Sequence, residues 1–434
     1  MHPRFRALVT SLLHLLVILS ALTLPVCAQA GKKAAPPAQA GGEQPERPPS
    51  TSRSEFQGPT GGQMNLGSDE GFGFGTLEPD PTALFGPTRI PVLLPGNYSL
   101  STVSLPVYLA VRPAPAQRFL LEAAADLTQL GADLSWSWRP ASGPGVLTAN
   151  VFTWRARTLA FEGGPVPVGL LDPRGAHPWT CQVGGGVEYA LPLSPELRLA
   201  AALGYRQVTV QSGAFTGQVT PVDQLGDPLT MRPNGTDQLL SARVVGLYST
   251  LDNLQFPTRG TKLRFGFDQT LPIGPDPIHS TRLSGNWTQF FDVGRHGQSL
   301  IFNLQSGLAL GDVPPYDAYA LGGVNSVRGW SAGALGAAQG FVESTLEYRF
   351  PLGEASLFGT DLKLRGAMFI DFADDFDSQG KVHGRPGLVR GKPGNGAGGG
   401  VGLHVQSPVG LIRLEGAVTG SGVANVYLTV GDRY

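Results

Sequence analysis

The stretch ADLSWSWR, residues 132–139, alternates without a break: Leu134, Trp136 and Trp138 fall on one side, Asp133, Ser135, Ser137 and Arg139 on the other. Successive side chains of an extended chain point to opposite faces, so this is a strand greasy on one side and polar on the other. The pattern persists along the chain. Residues 261–268 set Leu263, Phe265 and Phe267 against Lys262, Arg264 and Asp268; residues 300–310 set Phe302, Leu304 and Leu308 against Asn303 and Gln305. The same period runs through 119–127, 147–157, 183–191, 197–209, 239–251, 281–292, 341–350, 362–372, 401–406, 411–418 and 423–434, which makes fourteen strands. A weaker fifteenth covers 97–109, and a first strand is expected upstream of it, so sixteen are expected.

Two architectures use such strips. A soluble sandwich turns its apolar face inward, whereas a membrane barrel turns it to lipid and keeps the polar face for the lumen. The links decide between them. Those near 159–180, 211–237, 315–340 and 373–396 are long, and those near 140–145, 192–196, 252–260, 294–298 and 407–410 are short. All the long links share one parity in the strand order, as they do in outer-membrane barrels with short turns at one rim and long loops at the other. The polar faces also carry Glu343, Glu347, Arg349, Lys363, Arg365, Arg413 and Glu415, too many charges for a sandwich core. The expected fold is an all-β transmembrane antiparallel barrel over 89–434.

Bulk properties agree. The chain has 434 residues, only 15% of them charged, with 60 glycines and 37 prolines, a composition of strands and turns rather than helices. A net charge of -1 gives no basic surface for nucleic acid. Arg4 and Arg6 precede an apolar run over 7–24, and Ala28-Gln29-Ala30 offers small residues for cleavage, so 1–30 is expected to be a signal peptide. Cleavage after Ala30 removes Cys27 and leaves Cys181 alone, which makes no intrachain disulfide. Residues 31–88 are rich in Pro, Gly, Ala, Gln and Ser and form a disordered linker. No later stretch holds 18 consecutive apolar residues, so a helical membrane bundle is excluded.

Leu321-Gly322-Gly323-Val324-Asn325-Ser326-Val327-Arg328-Gly329-Trp330 resembles the VRGF/VRGY loop of the BamA-type outer-membrane insertase (bacterial surface antigen) superfamily. Four further stretches match in order: Thr345-Leu346-Glu347-Tyr348-Arg349-Phe350-Pro351; Phe369-Ile370-Asp371; Val401-Gly402-Leu403 through Ser407-Pro408-Val409-Gly410-Leu411-Ile412-Arg413; and the aromatic terminus. With Val389-Arg390-Gly391-Lys392-Pro393-Gly394, the likeness leans to the cyanobacterial and chloroplast outer-envelope branch and covers about the last 190 residues. The resemblance implies that the loop folds into the lumen and that Arg328 pairs with acids on the two following strands. Glu347 and Asp371 lie on polar faces of neighbouring strands, where Arg328 can bond them bidentately. Gly329 permits a tight turn, and Trp330, where the family has Phe or Tyr, would pack against the wall. Tyr427, Gly431 and Tyr434 resemble the C-terminal signal by which outer-membrane barrels are recognised for insertion.

Catalytic and metal sites are not expected. Gly394-x-Gly396-x-x-Gly399 leads into a strand rather than opening a helix, so a flexible loop is expected there instead of a dinucleotide site. His404 lacks a partner at metal spacing and lines the lumen. No Gly-x-Ser-x-Gly or His-Glu-x-x-His occurs. The resemblance implies assembly, insertion or translocation of proteins at a weakly paired seam between first and last strands, with the locked loop bracing the opposite wall and no cofactor. The partners implied are outer-membrane lipids, unfolded outer-membrane or secreted clients, and a paralogue bearing POTRA modules, since 31–88 is too short and simple to hold one. A passive pore and a two-partner-type secretion channel are the alternatives. The place implied is the cell outer membrane.

Overall fold

The computed structural model describes residues 107–434, apart from 115, 126–128, 142, 167, 170–176, 216, 254–256, 295–296, 358–359, 377–380, 408–409 and 431. The expected signal peptide, linker and first strand, and Gly431, lie outside the described residues. Strands β1 (Val107–Ala114), β2 (Gln117–Ala125), β3 (Gln129–Trp138), β4 (Val146–Ala156), β5 (Trp179–Pro192), β6 (Leu197–Gln211), β7 (Thr236–Ser249), β8 (Gly260–Leu271), β9 (Ser280–Asp292) and β10 (Ser299–Gly311) follow one another as antiparallel neighbours. A short hairpin, β11 (Tyr319–Leu321) with β12 (Gly336–Ala338), then leaves the wall. The wall resumes with β13 (Gly340–Leu357), β14 (Thr360–Phe376), β15 (Asn395–Ser407), β16 (Gly410–Thr419) and β17 (Ala424–Val430). Among the described residues, fifteen strands make one sheet with β1 and β17 at its two edges.

The wall is built inside out relative to a soluble protein. Val187, Phe265, Trp287, Met368, Ile370 and Val426 are exposed on its outer face, while Asp133, Arg206, Glu343, Arg413 and Glu415 are buried on the inner one. That inversion is the signature of a transmembrane barrel, in which hydrocarbon covers the outward residues and the lumen takes the polar ones. Period-two alternation alone therefore accounts for both faces.

Of the weaker strand expected over 97–109, only 107–109 lie among the described residues, and they open β1, Val107–Ala114. The last strand ends at Val430, and Arg433 and Tyr434 turn inward instead of continuing the alternation.

The long links gather over one mouth. Phe161 and Val168 from β4–β5, Leu229 from β6–β7, Ile278 from β8–β9, Tyr316 from β10–β11 and Val382 from β14–β15 share one buried apolar cluster. Backbone bonds stitch it: Val166 N–H to Arg390 O, Gln224 N–H to Gly169 O and His383 N–H to Val313 O. Burial of apolar area makes these loops a cap rather than separate excursions.

Lys392 is buried within this cap, and its Nζ donates to the carbonyls of Ala160 at 2.9 Å and Glu162 at 2.8 Å. Burial pushes the amine down to about 7, with Glu162 and Asp375 pulling it up and Arg390 adding to the fall. A free lysine keeps its proton to about pH 10. Between those values the undocked loop binds more protons than the docked one, so docking strengthens as pH rises. Hydrogen-exchange protection of residues 159–162, corrected for intrinsic rate, is expected to increase from about pH 7 to about pH 9, and Lys392→Met should abolish the increase.

Candidate functional site

The β10–β13 link supplies the site. It runs through the β11–β12 hairpin, whose residues are all buried, and its tip carries Val327, Arg328, Gly329 and Trp330. Arg328 is completely buried against the inner wall. Its Nε and Nη2 donate to the two carboxylate oxygens of Asp371 at 2.8 and 2.9 Å, a bidentate fork. Its Nη1 donates to Glu347 at 2.9 Å and to Glu415 at 3.1 Å, and its backbone N–H adds a bond to Asp371 at 3.1 Å. The guanidinium carbon lies over the Phe369 ring, 3.2 Å from its centroid.

Strand register explains why these acids converge. Asp371 of β14 stands opposite Thr345 of β13, whose hydroxyl donates to it at 2.9 Å, and Glu347 is the next inward position along β13. Both sit on inward faces. The sequence reading missed the third acid, Glu415 of β16, as a partner of Arg328, although its parity beside Arg413 put it on the lumen face. Glu415 also pairs with His404 Nε2 at 3.0 Å, so the histidine lines the lumen as a hydrogen-bonding residue.

The loop backbone rests on glycine. On β15 the inward column is Gly396, Gly398, Gly400 and Gly402 down to His404, and Gly398 stands opposite Asp371. A Cβ on Gly398 would overlap the Arg328 carbonyl oxygen, and one on Gly396 would sit 2.9 Å from the Trp330 ring. The flexible loop expected around Gly394–Gly399 is therefore corrected: from Asn395 onward this tract is wall, and its missing side chains make the groove in which the loop lies. Trp330 packs there, and its Nε1 donates to Ala397 O at 3.2 Å, a bond that Phe or Tyr at this position would not make in the same way.

The same segment is tied to the edge strand. Gly329, with φ +98°, donates its N–H to the Tyr427 hydroxyl at 2.9 Å. That hydroxyl donates in turn to Trp330 O at 3.0 Å, and Asn425 Nδ2 bonds Gly329 O. Beyond the strand, Arg433 donates to Glu343 at 3.0 Å and to Ser326 O at 2.7 Å, and it approaches Asp371 at 3.3 Å. Asp432 accepts a fork from Arg349, with both bonds at 2.8 Å. Tyr434 donates to Glu347 at 3.1 Å and packs edge-on against Phe290. Among the described residues, the hydrogen bonds and ion pairs of Arg328 are with the wall from β13 to β16, and its neighbour Gly329 reaches β17. None of the acids and histidines forms a metal-ligand group of three or more among the described residues.

A model of the "Omp85 superfamily domain" matches residues 177–434. Outer envelope protein 80, chloroplastic, of Arabidopsis thaliana is 30% identical over 254 residues, which cover 58% of this chain and 32% of that protein. Protein TOC75-3, chloroplastic, of the same plant is 30% identical over 223 residues, 48% of this chain and 25% of that one. The chain spans about a third or less of the length of these relatives. Among solved structures, BamA from Haemophilus ducreyi lacking POTRA domains 1–3 superposes with a TM-score of 0.59 at 14% identity, covering 81% of this chain and 76% of that one. At that identity the likeness is one of fold.

Proposed function

Because the chain belongs to the Omp85 superfamily, whose domain covers its barrel from residue 177 to 434, we propose that it handles other polypeptides at an outer membrane, assisting their insertion or translocation. The observation that carries this is the bonding of the loop tip, from Arg328 to Trp330, to each of the strands β13 to β17. Among the described residues, one edge of β17 is paired to β16 and its other edge is the end of the sheet. An unpaired edge presents N–H and C=O groups that can template an incoming strand. A loop bonded to that strand from within holds its position, so release of the loop and exposure of the edge are linked.

A passive pore fits less well. The lumen is occupied by a buried, ion-paired loop, and the mouth is covered by packed apolar residues. Burying such charges is costly compared with an apolar plug, and a discrete set of pairs suits an element with two arrangements. The chemistry required is hydrogen bonding and burial alone. Export through residues 1–30 to a bacterial outer membrane belongs to the same proposal, as does a partner chain carrying modules for capturing clients.

The test is reconstitution into liposomes with an unfolded barrel protein as client. Accelerated folding of the client, by about tenfold or more over empty liposomes, is the expected result. Steady ion conductance with no acceleration would leave the pore reading in its place.

A further inference from the structure

We propose that Tyr316 and Asp317 form a second anchor of the lumen loop, on the wall across from the arginine lock, so that the loop is a strut held at both ends. The sequence Val313-Pro314-Pro315-Tyr316-Asp317-Ala318-Tyr319 takes no part in the lock. Its turn Pro315–Asp317 is nonetheless buried throughout. The Asp317 carboxylate pairs with Arg206 of β6, with both side chains almost fully buried. Its carbonyl accepts from Arg282 of β9 at 2.7 Å. The Tyr316 hydroxyl donates to Asp237 of β7 at 2.8 Å, a carboxylate already held by the N–H groups of Met231 and Arg232. Two residues on, Tyr319 lies 4.6 Å beneath the Arg282 guanidinium and donates to Leu283 O at 3.3 Å.

Three side chains, Tyr316, Asp317 and Tyr319, and the carbonyl of Asp317 thus fasten one limb of the loop to β6, β7 and β9. The buried β11–β12 hairpin then carries the chain to Arg328, which is fastened to β13, β14 and β16. Two consecutive prolines stiffen the entry to the first anchor by fixing φ. A polar anchor buried among apolar loops costs more than an apolar contact of equal size, and its return is a single geometry. Tyr316 and Asp317 act through the lock, as positioning residues. Loss of their anchor frees the limb that feeds Arg328 into its place and raises the fraction of molecules in which the tip has left the wall.

The readout is thiol labelling of Val327→Cys, a fully buried position beside Arg328, in the full chain with Cys27 and Cys181 replaced by alanine. No client is needed, so the outcome is independent of the protein-handling reading. Asp317→Asn is expected to raise the labelling rate about tenfold, the scale of one lost charge-assisted bond, with the midpoint of heat-modified gel mobility unchanged. Arg206→Gln should do the same from the wall side, and the two together should add little to either alone. Tyr316→Phe, which keeps the ring packed, should give a smaller rise and serves if Asp317→Asn fails to fold. Labelling that stays at the parental rate in these variants, while Arg328→Ala raises it, overturns the proposal. A labelling rise accompanied by an equal fall in the heat-modification midpoint would also overturn it, because the residues would then serve only global stability.

Discussion

Arg328→Ala is expected to unseat the lumen loop and to produce the largest loss of any single substitution in the barrel. The side chain answers three carboxylates at once, Asp371, Glu347 and Glu415, in a place with no exposed surface. Its removal leaves Asp371 to Arg433 and Glu347 to Arg349, and Glu415 to His404 and Arg413. Breaking a buried pair from one side costs about 3–5 kcal/mol, and here three acids each lose one partner in a poorly solvated place. Here that cost falls mainly on the docked loop, whose departure admits water to the acids. A shift of that size moves the docked population by about a hundredfold or more. Thiol labelling of Val327→Cys should report it, and acceleration of client folding should drop with it. Arg328→Lys keeps the charge but cannot make the fork to Asp371, and should fall between the two. Labelling in Arg328→Ala no faster than in the parent would mean that the ion pairs do not hold the loop.

Gly398→Ala is expected to have the second-largest effect, by a steric route that leaves every charge in place. One methyl group on β15 would overlap the carbonyl oxygen of Arg328. The strand is held by β14 and β16 on either side, so the wall has little room to yield. Overpacking a closed contact costs about 1–3 kcal/mol, and here a Cβ fixed to one backbone meets the carbonyl of another, so the upper part of that range is expected. The loop should lift while the barrel still folds, with labelling of Val327→Cys raised and heat-modified mobility retained. Gly416→Ala is the matched control, since a Cβ there meets nothing within 4 Å. Equal labelling in the two glycine variants would show that the groove is not the seat of the loop.

These substitutions divide by what could be read in advance. Alternation at 132–139 and thirteen other segments is enough for the wall, because side-chain direction in a strand is a local property with a period of two. The same parity put Glu347, Asp371 and Glu415 on inward faces. Arg328 stood out only because its loop resembles a known motif. What could not be read was the path of the loop. Gly398 looked like part of a flexible glycine tract, since a glycine's value lies in what approaches it, and the approaching carbonyl comes from 70 residues earlier. In the sequence Tyr427 and Tyr434 are features of a terminal strand. In the fold one caps the Gly329 amide and the other turns inward onto Glu347.

By itself, then, the sequence determined the strands, their two faces and the sign of the lumen, each of which follows from neighbours within a few residues. Only the tertiary structure decided which lumen groups meet. The contacts of Arg328 with Glu415, of Gly329 with Tyr427 and of Asp317 with Arg206 join positions 87, 98 and 111 residues apart. Such pairs depend on how far a loop reaches and where it crosses, and no periodicity along the chain encodes that. The physical reason is that one long sheet stands on both sides of the loop. The wall brings β6 and β17 to the two ends of one loop, and the loop is held where buried charge finds a partner at each.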